Sequence, residues 1–150
     1  MEGVDGVGEQ SIMTDGLTTR TISVHVERDL ATVYDFAAEP RNYPRWATGL
    51  CSSIAPLGDR DIWLAQTPYG PMKVRFTPRN VFGVLDHYVT PESGAVIYVP
   101  MRVIVNGAGS EVTLTLFRQP DMSDAKFAED AEWVARDLRR LKDVLEGRSR

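Results

Sequence analysis

The chain reads as two hydrophobic periodicities in succession. Residues 21–26 alternate, with Ile22, Val24 and Val26 on one side and Thr21, Ser23 and His25 on the other, the signature of a half-buried strand. A short helix is predicted over 29–38, with Asp29 as its N-cap and Val33, Phe36 and Ala37 as its buried side. Pro40 stops it, and Pro44 leaves room for one more turn ending at Trp46. From Gly49 onward the period is two, and the spacing predicts strands over 50–56, 61–67, 72–77, 83–90, 95–105 and 111–118. The Gly-, Pro- and Asn-rich turns between them are too short for crossover helices, so the strands pair antiparallel as a meander; the first strand brings the count to seven.

The period then changes. Phe127, Ala131, Val134, Leu138, Leu141 and Leu145 recur at spacings of four and three within 123–146, behind Ser123 or Asp124 as cap. At 1.5 Å per residue this helix is about 35 Å long, enough to cross a sheet. Such a stripe either covers the chain's own sheet or pairs with a second copy as a coiled-coil homodimer; the strands' need for a cover favours the first use. The expected class is therefore α+β: a seven-stranded curved antiparallel sheet, two short helices and one long C-terminal helix enclosing a cavity. Residues 1–17 lack apolar periodicity and are read as a flexible leader, with Met13 as an alternative start; 18–146 form a single domain and 147–150 a frayed tail.

This order of elements resembles the helix-grip fold of the START/birch-pollen-allergen superfamily. The resemblance is carried by Val33-Tyr34-Asp35-Phe36-Ala37-Ala38-Glu39-Pro40, by Tyr43-Pro44-Arg45-Trp46 and by the Phe127–Asp130 and Leu138–Lys142 stretches of the last helix. These are similar to the polyketide cyclase/dehydrase and lipid-transport branch. The resemblance implies a cup for a small hydrophobic or aromatic ligand between sheet and helix, and also admits a cyclase or dehydratase acting on an enolisable carbonyl compound, or a non-enzymatic protein-interaction domain. Ring-hydroxylating oxygenase subunits share the fold and need two histidines and a carboxylate for iron. Here His25 and His87 lie on separate strands, with His25 on the outer side, so no metal and no cofactor are expected.

Composition narrows the partners. Seventeen basic against twenty-one acidic residues give a net charge of −4, which offers no field for phosphate backbones and excludes nucleic acid as a partner. The longest apolar runs fall short of the ~18 residues of a membrane span, and the N-terminus has no basic-then-apolar signal. The one cysteine, Cys51, rules out an internal disulfide and suits a reducing cytoplasm; a buried inert thiol is its expected state.

Alternation assigns the candidate inward residues. Met72, Val74 and Phe76 share a face, as do Ile97, Val99, Met101 and Val103, and Val112, Leu114 and Leu116. Val74, Phe76, Val99, Met101, Val103 and Leu114 are the ligand-contact candidates on the sheet, with Val134 and Leu138 opposite them on the helix and Tyr43 and Trp46 at the rim. The bland alternative is that these side chains meet the helix and leave no room. Asp86 and His87 are adjacent and so face opposite ways; His87 goes with Leu85 and Val89 and is the inward one, able to hydrogen-bond a ligand or act as a base. In the enzyme reading His87 is the base, with Arg102 or Tyr98 as oxyanion donor. Tyr98 and Arg102 lie roughly 13 Å apart along one strand, too far to grip the same atom, and Pro100 between them marks a kink or bulge.

Overall fold

The computed structural model describes residues 15–49 and 51–148. Most of the expected leader, Met13 included, lies outside the described residues, as do Leu50 and the end of the expected tail. β1 (Thr19–Val26) leads into α1 (Leu30–Ala38), a 3-10 turn (Pro40–Asn42) and the one-turn α2 (Tyr43–Trp46). Then come β2 (Ser53–Leu57), β3 (Asp59–Thr67), β4 (Gly70–Phe76), β5 (His87–Thr90), β6 (Ile97–Val99), β7 (Met101–Asn106), β8 (Gly109–Phe117) and finally α3 (Asp124–Leu145). All pairings are antiparallel, in one sheet of order β1-β8-β7 and one of order β2-β3-β4-β5-β6.

The count is thus eight strands in two sheets, not seven in one, and Pro100 is the reason. It has no N–H to give to a ladder, so the expected strand 95–105 splits into β6 and β7. Register nevertheless carries straight across the split: His87 faces Val99 on one side of it and Val84 faces Arg102 on the other. The Leu85 N–H donates to the Met101 carbonyl at 2.8 Å, and the Val103 N–H to the Gly83 carbonyl at 3.0 Å. Gly83 is required for this approach: its φ is +73°, and a Cβ there would run into the Val103 carbonyl. The two sheets are therefore seamed together at β7 and bend as one wall.

α3 lies across that wall. The Ser123 hydroxyl caps it by accepting from the Lys126 N–H at 3.1 Å. Asp29 stands at the N-cap of α1, but its side chain accepts no cap hydrogen bond, contrary to expectation. The helix stripe packs on the chain's own β1 and β8 and on α1 and α2, so it does not serve as a coiled-coil seam. Leu138 and Leu141 are 1% and 0% exposed, each burial being worth about 2–3 kcal/mol. Among the described residues, no helix is long and apolar enough to cross a membrane.

Candidate functional site

Between wall and helix lies a cavity of about 340 Å³. The sheet supplies alternate residues, as the pleat demands: Met72, Val74 and Phe76 from β4, His87 and Val89 from β5, Leu114 and Leu116 from β8. α3 supplies Lys126, Asp130, Val134, Asp137 and Leu138, spaced so that all fall on one helix side. Tyr43, Trp46 and Ala47 close the inner end, and at 7%, 3% and 5% exposure they are floor rather than rim, correcting the placement of the two aromatics at the mouth. Their depth follows from Pro40 and Pro44, which fold the chain back in tight turns under α3.

The opening lies at the other end. Tyr69, in the β3–β4 turn, is 60% exposed, and Lys126 in the first turn of α3 reaches it. The Lys126 ammonium donates to the Tyr69 hydroxyl at 2.6 Å and to Asp130 at 2.9 Å, and sits 4.4 Å from the Tyr69 ring centroid. Burial opposes its charge, but these partners prevail and hold its pKa above the usual lysine range.

The inner end is aromatic with a few polar atoms. The Tyr43 ring lies 4.9 Å from Trp46, 5.1 Å from Phe76 and 6.1 Å, edge-on, from His87, centroid to centroid. His87 Nδ1 is 3.1 Å from the Leu85 carbonyl, which can only accept; the ring proton is therefore on Nδ1, leaving Nε2 as a bare lone pair. Burial pushes the His87 pKa below its ordinary value, against the opposing pull of that hydrogen bond and of Asp86. Burial likewise raises the Tyr43 hydroxyl, and lifts the Cys51 thiol to about 11, so Cys51 is no nucleophile at neutral pH. Asp137 Oδ1 accepts the Gly49 N–H at 3.2 Å, while its Oδ2 and the Trp46 Nε1 are buried without a partner. Burial raises the Asp137 carboxyl to about 6, only partly offset by the Gly49 N–H and by Arg140 and Arg136.

Of the residues singled out in the sequence, Tyr43, Trp46, Val74, Phe76, His87, Leu114, Val134 and Leu138 meet around the cavity. Val99, Met101 and Val103 do not line it. Met101 and Val103, at 0% and 1% exposure, are solid core beneath α1, and Val99 packs against the core's edge. Tyr98 and Arg102 are on the outer face. There both reach a single atom, Asp86 Oδ2, each at 2.9 Å, which overturns the expectation that they could not share one. The distance along their own strand is bridged from the next one, because Asp86 stands opposite Pro100, midway between them. Neither can act as an oxyanion donor to His87. Several lining residues escaped the sequence reading. Tyr69, Met122 and Lys126 belong to a turn, a connection and a helix start, where no strand alternation marks an inward side. Asp137 lies between stripe positions Val134 and Leu138, a signal that was available.

No protein-family model and no curated protein matches the sequence. Solved structures do match the fold. The protein XoxI from Bacillus cereus superposes with a TM-score of 0.71 at 14% identity, over 87% of this chain and 96% of that one. The Zhui aromatase/cyclase from Streptomyces sp. R1128 gives 0.68 at 12% identity, over 89% and 96%. Ara h 8.0201 gives 0.64 at 9% identity, over 88% and 99%. The chain thus shares the fold of these structures, in line with the helix-grip fold expected from the sequence; at these identities the likeness extends to the fold alone.

Proposed function

We propose that this protein binds a small hydrophobic or aromatic molecule in the cavity between its sheet and its C-terminal helix. The observation that carries this reading is the cavity itself: about 340 Å³ of unfilled space, walled mainly by aliphatic and aromatic side chains, inside an otherwise close-packed chain. A volume of that size accommodates a two- or three-ring molecule. Binding is favoured over turnover because the polar groups of the inner end do not form an acid–base set. His87 is the lone neutral base on the sheet side, and Tyr98 and Arg102 are spent on Asp86 outside. The cyclase reading, to which the Zhui likeness lends a fold and nothing more, loses both donors expected for it, Tyr98 and Arg102, and is left with the Tyr43 hydroxyl near His87.

The test is titration with N-phenyl-1-naphthylamine, an uncharged probe that fluoresces in apolar surroundings. Saturable one-site binding is expected for the wild type. Ala65 lines the cavity and is 4% exposed, so Ala65→Phe projects a ring into the space and should weaken binding by about tenfold or more while the chain stays folded. Absence of saturable binding, or equal binding by the filled variant, removes the proposal.

A further inference from the structure

Resting on that reading, we infer that the ligand is an uncharged ring compound bearing a hydroxyl group, and that His87 selects it by accepting the hydroxyl proton at Nε2. Nε2 is not among the buried unpaired atoms, so it opens onto the cavity, and a lone pair open to an apolar cavity is either idle or half of an interaction. Three features favour the second. The imidazole is locked: Nδ1 is committed to the Leu85 carbonyl, and the ring is held between Tyr43 and Phe76 at centroid distances of 6.1 and 5.7 Å. It cannot turn to find another partner. Next, Nε2, the distal ring atom, has no hydrogen-bond partner among the described residues, and neither has the Tyr43 hydroxyl on the same cavity floor. A ligand hydroxyl suits the open acceptor at Nε2, since it carries a proton to donate. Finally, burial keeps the imidazole neutral, so it offers an acceptor and not a positive charge.

The same surroundings discriminate against anions. Among the described lining residues the basic groups are Lys126 and His87; Lys126 is at the mouth and already bonded to Asp130 and Tyr69, and His87 is uncharged. The inner end instead contains Asp137, with one carboxylate oxygen unpaired. A carboxylate-bearing ligand would meet no counter-charge there and would have to leave its charge in water or lose it. A site built around a hydrogen bond rejects the analogue that lacks the donor much more strongly than an apolar wall rejects a change of shape.

Three probes of one ring system make the test: 2-naphthol, 2-methoxynaphthalene and 2-naphthoate, titrated by calorimetry against the wild type and His87→Phe. 2-Naphthol is expected to bind about tenfold tighter than the ether, although the ether is the more hydrophobic, and tighter than the carboxylate. In His87→Phe the gap between naphthol and ether should close. Should that variant not fold, the nitrogen NMR resonance of wild-type His87 Nε2 decides: it should shift on adding naphthol and stay put on adding the ether. Equal binding of naphthol and ether, tighter binding of naphthoate, a gap that survives His87→Phe, or an Nε2 resonance indifferent to naphthol each overturns the inference while leaving a ligand cavity in place. If none of the three probes nor N-phenyl-1-naphthylamine binds, the cavity reading itself has failed.

Discussion

On the outer face of the β5 hairpin the Asp86 carboxylate accepts four hydrogen bonds: from the Tyr98 hydroxyl, the Met101 N–H and two nitrogens of Arg102. On the inner face, one residue later, His87 makes a single bond through Nδ1 and keeps Nε2 bare. The Asp86 network takes up the Met101 N–H just past Pro100 and so ties the β6–β7 break together; its polar groups are consumed by structure. The inner face of the same strand has a polar atom with nothing to consume it. Satisfied polar atoms mark what maintains the fold, and unsatisfied ones facing a void mark what the fold is free to offer.

The contrast can be broken most severely at Asp137, another polar group left incomplete at the inner end. Its folded pKa of about 6 lies above the ordinary 3.8, so folding takes up a proton between those values. Stability must therefore fall as pH rises through roughly 4 to 6 and level off above, by about 3 kcal/mol for this group. Urea melts of Asp137→Asn and wild type across pH 4–8 should diverge by that amount, the variant lacking the slope; parallel curves would show that the carboxyl is not strained. At Asp86 the sign is opposite. Burial works to raise its pKa, but the bonds from Arg102, the Met101 N–H and Tyr98 outweigh that and hold it below the usual value, so its contribution is present above the unfolded pKa and lost on acidification. Asp86→Ala should cost about 2 kcal/mol at pH 7, seen in the denaturation midpoint, because it strands the buried Met101 N–H and unpairs Tyr98 and Arg102 as well. Affinity for N-phenyl-1-naphthylamine should stay within about twofold, since the carboxylate is on the far side of the sheet. A large loss of affinity with little loss of stability would reverse the roles assigned to the two faces.

Removing the outer partner instead is milder. The Arg102 side chain is 48% exposed, so Arg102→Ala should cost about 1 kcal/mol or less in the same melts. A penalty equal to that of Asp86→Ala would mean that the guanidinium, not the Met101 N–H, secures the seam. The smallest effect is expected at His87→Phe, a swap of similar volume: under about 1 kcal/mol near pH 8. Below the unfolded histidine pKa the wild type loses stability, because the buried ring resists the proton that the unfolded chain accepts, and the variant should be spared that loss.

Much of this was legible along the chain. Period two assigned His87 inward and Asp86 outward, and the helix stripe identified Val134 and Leu138, because a side chain's face follows from its own backbone's repeat. The α+β class and the order of elements followed from the same repeat and from the turn residues. Pro100 announced a break, but not that the break would fall opposite Asp86 and bring Tyr98 and Arg102 onto one oxygen. That meeting depends on how two strands are paired. Lining residues such as Tyr69, Met122 and Lys126 come from irregular or terminal segments, where no period exists to be read. Above all, the empty volume belongs to no residue: it is the difference between the shape of a bent wall and that of the helix across it. Local repeats encode which way each side chain points, whereas contacts and voids arise when separately encoded surfaces are brought together.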